Sequence, residues 1–184
     1  VIRNLKGVQQ LALSTAQGFI EVENQGSEEV SLSLMLSRTP SANEDVKPIA
    51  NGVEIDVQYA DLKGNAITID KLQQGEEFLA KIRVKKTNDS SPSMALTYAV
   101  PSGWEIWNER LTGGEESQGA TYTDIRDTSI SWYFSIEQGQ TKEFAVRLRA
   151  AYGGQFVLPP TICEDMYNPS CRANTANGLT IVVR

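Results

Sequence analysis

Cys163 and Cys171 are the two cysteines of the chain, and they bracket the segment Glu164-Asp165-Met166-Tyr167-Asn168-Pro169-Ser170. A structural zinc site takes four ligands, usually from Cys-x-x-Cys-like pairs, and two cysteines at this spacing cannot supply them. The same spacing excludes a redox Cys-x-x-Cys. Two readings stay open. In one, a disulfide closes a loop of about nine residues, contributes roughly 2–3 kcal/mol by loop entropy, and holds the 164–170 tip in one shape. In the other, the pair is two buried free thiols. The first is a scaffold for recognition rather than for chemistry.

Histidine is absent from all 184 residues. That removes the usual general base near neutral pH and the commonest metal ligand, so Ser-His-Asp and Cys-His catalysis are excluded within this chain. Paired carboxylates could still hydrolyse glycosides, but the 23 Asp and Glu residues read first as a solvated surface. A formal net charge of −6, with no basic run interleaved with aromatics, argues against nucleic acid as a partner. No metal site and no cofactor are implied. Thr123-Asp124-Ile125-Arg126-Asp127 lacks the alternating oxygen ligands and distal glutamate of a calcium loop. It reads as a structural pairing of Arg126 with a carboxylate, Asp127 being the candidate. Trp104 and Trp107 stand three apart in an extended segment and so point to opposite sides, one to the core and one to the surface. Ser135-Ile136-Glu137-Gln138 has the outline of a thioester motif with serine in the cysteine's place. Since a hydroxyl does not replace a thiol, Glu137-Gln138-Gly139-Gln140 reads as a hairpin turn. Asn88-Asp89-Ser90 matches a three-letter glycosylation sequon by chance.

The elements that must position these residues are strands. Gly18 to Asn24 and Val30 to Leu36 alternate around the turn Asn24-Gln25-Gly26-Ser27 and read as a hairpin. A polar, Pro-containing stretch from Ser37 to Asp45 reads as a linker. Alternation resumes over Gly52 to Tyr59, Ala66 to Ile69, Phe78 to Lys86 and Ser93 to Val100. Leu111 to Ala120 is Gly- and Glu-rich and reads as a mobile loop. Strands return at Ser129 to Ile136, Lys142 to Ala151, Gly154 to Leu158 and Leu179 to Val183. Val8 to Ala16 is the one stretch with a helical pattern. No apolar run approaches the roughly eighteen residues of a membrane span. Short strands at this spacing, with Gly and Asn turns between, predict an all-β chain of antiparallel β-sandwich type.

Blocks in the C-terminal part resemble a known family. They are Val100-Pro101-Ser102-Gly103-Trp104-Glu105-Ile106, Thr123 to Asp127, Trp132-Tyr133-Phe134, Phe144 to Pro159 and Cys163 to Pro169. In this order they are similar to the last macroglobulin-like domain of bacterial alpha-2-macroglobulins, the large envelope protease traps. The resemblance implies a C-terminal macroglobulin-like sandwich over residues 46–184. Residues 1–45 would be the second half of a CUB-like β domain, a smaller partial sandwich. It implies a non-catalytic fragment of an endopeptidase inhibitor that packs against the thioester domain of the same parent chain and meets target proteases only through that parent. The family's shielding loop matches Glu164-Asp165-Met166-Tyr167, which makes Met166 and Tyr167 the candidates for the cover. An acyl thioester hydrolyses unless apolar groups exclude water. Neither cysteine lies in a Cys-x-Glu-Gln context, so the thioester belongs elsewhere in the parent. The implied location is extracytoplasmic, in the periplasm or cell envelope, with a parent that can be lipid-anchored and no membrane contact by this fragment.

Val1-Ile2-Arg3 does not resemble a natural start, and the chain reads as a fragment. An orphaned half-domain exposes strand edges, so the isolated fragment is expected to dimerise through Val30 to Leu36. A rival reading is an adhesion or carbohydrate-binding sandwich module with Trp104 or Trp107 as sugar platform. A third is a carboxylate glycosidase.

Overall fold

The computed structural model describes residues 21–29, 31, 44–107 and 119–183. The chain divides into two units, Val1–Pro40 and Ser41–Arg184. In the first, the turn at Asn24 forms as expected: Asn24 Oδ1 accepts the Gly26 N–H at 3.0 Å and Asn24 Nδ2 donates to the Glu28 carbonyl at 2.8 Å. Residues 21–24 carry no strand pairing, unlike the expected hairpin arm. Val8 to Ala16, Val30 to Leu36 (apart from Ser31) and Leu111 to Gln118 lie outside the described residues.

The second unit is built from thirteen described strands: β1 (Ile49–Asn51), β2 (Val53–Asp61), β3 (Lys71–Gln73), β4 (Glu77–Lys86), β5 (Ser93–Ala99), β6 (Trp104–Ile106), β7 (Tyr122–Ile125), β8 (Ser129–Ser135), β9 (Thr141–Ala150), β10 (Gly154–Leu158), β11 (Ile162–Asp165), β12 (Arg172–Asn174) and β13 (Gly178–Val183). They form a six-stranded sheet β1-β12-β11-β5-β8-β7, a four-stranded sheet β2-β4-β9-β6 and a three-stranded sheet β10-β13-β3. All pairs are antiparallel except β13–β3. This is the open, sandwich-like, all-β fold that the alternation implies.

Period-two burial decides which side chains make the core. From β4 come Phe78, Ala80, Ile82 and Val84; from β9, Phe144, Val146, Leu148 and Ala150; from β5, Met94, Leu96 and Tyr98; from β8, Ile130, Trp132 and Phe134. The Phe144 ring from the four-stranded sheet meets Trp132 and Phe134 of the six-stranded sheet at centroid distances of 5.1 and 4.9 Å. Outward positions of β2, β4 and β9 carry opposed charges in register, Asp56 beside Arg83 beside Glu143. Such exposed pairs contribute little each, but they keep that face in water.

The sequence reading departs from the structure in places. Ala66 to Ile69 is not a strand; Ala66 makes one bridge to Ala60, and the paired segment is β3, five residues later. Segments of three or four residues, β1, β6, β7, β11 and β12, are too short to alternate visibly; β1 and β6 also take their partners from far away in sequence, whereas β7–β8 and β11–β12 are local hairpins. The Glu137–Gln140 turn forms as expected, with Gly139 at φ 79° and the Gln140 N–H on the Glu137 carbonyl.

Candidate functional site

The ladder between β11 and β12 pairs Cys163 with Ala173 and Glu164 with Arg172, and the Asp165 N–H continues it to the Cys171 carbonyl at 2.9 Å. Chain polarity then reverses through Met166 to Ser170. The reversal is tied from both sides. The Met166 N–H reaches across to the Ser93 carbonyl of β5 at 3.0 Å, and the Cys171 N–H closes onto the Asn168 carbonyl at 2.9 Å. Alternation along β11 sends Cys163 and Asp165 inward and Glu164 outward. The tip beyond it has nothing inward to cover, so Met166 and Tyr167 stand out at 51% and 77% exposure.

What holds the tip from below is a buried charge. Asp165 Oδ1 accepts the N–H groups of Tyr167 at 2.9 Å and Asn168 at 3.0 Å, an Asx turn that fixes the backbone under the exposed pair. Asp165 Oδ2 lies 2.9 Å from Ser90 Oγ and 3.7 Å from Lys86 Nζ, and the Lys86 and Asp165 side chains are both sealed from solvent. The ammonium also donates to the Ser91 carbonyl at 2.7 Å and lies 3.4 Å from Met94 Sδ. Burial pushes the Asp165 carboxyl up, but the Tyr167 N–H, the Ser90 hydroxyl, the Asn168 N–H and the Lys86 charge together hold it below its ordinary value. Ser90 has one proton for two acceptors, since Asn88 Oδ1 lies 3.1 Å from the same hydroxyl. Asn88 Oδ1 also faces Cys171 Sγ at 3.6 Å. Asn88 fits there only because Gly52, at φ 74°, has no side chain; a Cβ would sit 2.2 Å from Asn88 Nδ2. The sequon asparagine is thus a half-buried strut of this network.

Cys163 and Cys171 are both buried and stand as separate thiols in this structure. The register explains this. With Asp165 opposite Cys171, the two cysteines are diagonal neighbours, for which Cα atoms stand about 7–8 Å apart, just beyond the roughly 4.4–6.8 Å that a disulfide bridges. Burial, helped by the neighbouring Cys171 and opposed by Lys86, pushes the Cys163 thiol up to about 12. Such a thiol is inert in the folded domain.

The other candidates fall elsewhere. Arg126, which follows the end of β7, pairs with Asp124, at 2.8 Å, rather than with the adjacent Asp127. The Arg126 side chain is 73% exposed, so the pair is a surface contact and not the structural one expected. Trp104 is core, edge-on to Phe78 at 4.9 Å, and Trp107 is exposed with the Arg147 guanidinium 4.8 Å over its ring. The indoles divide between core and surface as their spacing implies, and they form no joint sugar platform. Asp61 and Asp165 are both held low, opposite to what a general acid needs. Among the described residues no three His, Cys, Asp or Glu converge to hold a metal.

A profile of the bacterial alpha-2-macroglobulin MG10 domain matches residues 52–170. The chain belongs to that family. Among the curated relatives of this MG10 domain, the alpha-2-macroglobulin of Pasteurella multocida is 26% identical over 144 residues, covering 77% of this chain and 7% of the relative. That of Escherichia coli is 24% identical over 182 residues, covering 90% and 11%. A solved structure of a tyrosine-to-glycine mutant of Salmonella alpha-2-macroglobulin matches with a TM-score of 0.69 at 25% identity, over 77% of this chain and 10% of that one. The chain therefore spans about a tenth or less of the length of these relatives. Lys86 and Ser90, which anchor the tip, carried no role in the sequence reading, and Asp165 was only a letter of the matched loop. The signal was present for two of them. Alternation extended from Phe78 through Val84 sends Lys86 inward, and alternation from Cys163 does the same for Asp165.

Proposed function

We propose that this MG10 domain is the C-terminal, non-catalytic part of a bacterial alpha-2-macroglobulin-type endopeptidase inhibitor, and that its Met166–Tyr167 tip covers a thioester carried by another domain of the same parent. One observation carries the reading. The most exposed apolar pair of the hairpin is presented outward on a backbone fixed by a buried carboxylate, instead of being folded into the sandwich. A thioether and a phenol ring presented on a fixed backbone can seal a reactive acyl group from water, and the fixed backbone lowers the entropic cost of docking. Residues 1–45 fit the second half of a CUB-like domain by their order in the chain, and the parent acts outside the cytoplasm, in the periplasm or cell envelope. Proteases meet the parent, not this domain. The expected test is in the full-length parent: replacing Met166 and Tyr167 by serine raises spontaneous thioester loss, read as free-thiol release and as methylamine incorporation. Unchanged rates in the double variant remove the shielding role.

A further inference from the structure

We propose that Cys163 and Cys171 are a dithiol–disulfide pair whose bond closes the neck of the Met166–Tyr167 hairpin when the chain meets an oxidising disulfide. The two thiols face inward from the two arms of the hairpin, Cys163 on β11 and Cys171 just before β12, two residues off direct register, at 0% and 2% exposure. They are close enough that a charge on Cys171 is felt at Cys163. Closing the gap between a diagonal pair and a bridged pair takes a shift of about 1 Å. The side that can give is that of Cys171. Cys163 is hydrogen-bonded into a ladder with β5 on one side and β12 on the other, whereas the Cys171 backbone bonds within the hairpin, to Asp165 and Asn168, and follows the exposed residues Asn168 to Ser170. Moving Cys171 inward trades its weak contact with Asn88 Oδ1 for a covalent bond and leaves the Asp165 turn in place.

The chemistry balances as thiol–disulfide exchange. The Cys171 thiolate attacks an external disulfide RSSR, giving a Cys171 mixed disulfide and releasing one RSH after protonation. Cys163 then displaces the second RSH, so that two protein thiols and RSSR become one protein disulfide and two RSH. Both sulfurs are sealed in the folded domain, so oxidation proceeds during folding or through local opening of the turn. The consequence is a tip tied at its neck in a nine-residue ring, whose opening from the sandwich falls about 10–100-fold by loop entropy. Formation of the bond does not depend on the shielding function; its effect on a thioester rests on that reading.

The test uses the whole 184-residue chain. It is exposed to mixtures of oxidised and reduced glutathione, in one arm folded and in the other while refolding from denaturant, then alkylated and weighed intact. Loss of two hydrogen atoms with both sulfurs protected, in either arm, is the expected result, together with slowed hydrogen exchange at the Tyr167 and Asn168 amides. Cys171→Ser keeps a donor for Asn88 and must abolish both changes. Two alkylatable thiols or glutathione adducts alone in both arms overturn the proposal, as does slowed exchange that persists in Cys171→Ser.

Discussion

Replacing Lys86 by methionine, which keeps the length of the stem and removes the charge, tests how the tip is held. In the structure the ammonium sits 3.7 Å from Asp165 Oδ2 with neither side chain reached by water. At an effective dielectric of about 20, that separation corresponds to roughly 4–5 kcal/mol of attraction. Breaking a buried pair by removing one partner costs about 3–5 kcal/mol, because the remaining charge is left uncompensated. Asp165 keeps the Tyr167 and Asn168 N–H groups and the Ser90 hydroxyl, so the lower end applies, about 3 kcal/mol. In urea, with a slope near 1.5 kcal/mol/M, the midpoint should fall by roughly 2 M. The pH dependence follows from the direction of the Asp165 shift. In the parent sequence its folded value lies below the ordinary 3.8, so its contribution is complete above that pH and is lost only as pH falls through the folded value. Without Lys86 one opposing influence is gone, burial gains ground, and the folded value rises. The variant is then relieved by protonation first, and the stability gap to the parent sequence narrows as pH is lowered from 7 through that raised value. Denaturation curves across that range, with hydrogen exchange at the Tyr167 amide as a local probe, measure both. A loss under 1 kcal/mol at pH 7, or a gap that does not change with pH, refutes the buried-pair account.

Other outcomes follow from single contacts. Gly52→Ala places a methyl group 2.2 Å from Asn88 Nδ2 at a positive φ, and is expected to cost about 1–3 kcal/mol and to loosen Asn88 from Ser90, measured by denaturation and by exchange in residues 86–91. Burial raises the Tyr59 and Tyr98 phenols above 10.0, Tyr98 strongly, so their neutral forms stabilise the fold fully below about pH 10 and that stability is lost as pH climbs further. Tyr98→Phe should therefore flatten the alkaline fall in stability and remove the highest-pH step from an ultraviolet titration. Arg126→Ala should leave the denaturation midpoint within experimental error, since its pair with Asp124 lies in water; a clear loss would restore the structural role expected for Arg126.

The sequence by itself determined the class of fold, because period-two alternation is a local property that any long amphipathic strand must carry. Phe78 to Val84 and Phe144 to Ala150 show their inward faces without any partner. The ordered blocks determined the family, and the Met166–Tyr167 pair stood out because two large apolar groups sit between turn residues. Tertiary structure alone decided what lies beneath that pair. Lys86 and Asp165 are 79 positions apart in number order, and only the packing of β4 against the β11 end puts one charge in reach of the other. The fate of the cysteines was likewise hidden, since spacing gives the loop length while register gives the distance, and a ladder that sets Asp165 opposite Cys171 makes the thiols diagonal rather than facing. Arg126 paired with Asp124 rather than Asp127 for the same kind of reason: sequence proximity offers both carboxylates, and the folded backbone decides which one is in reach.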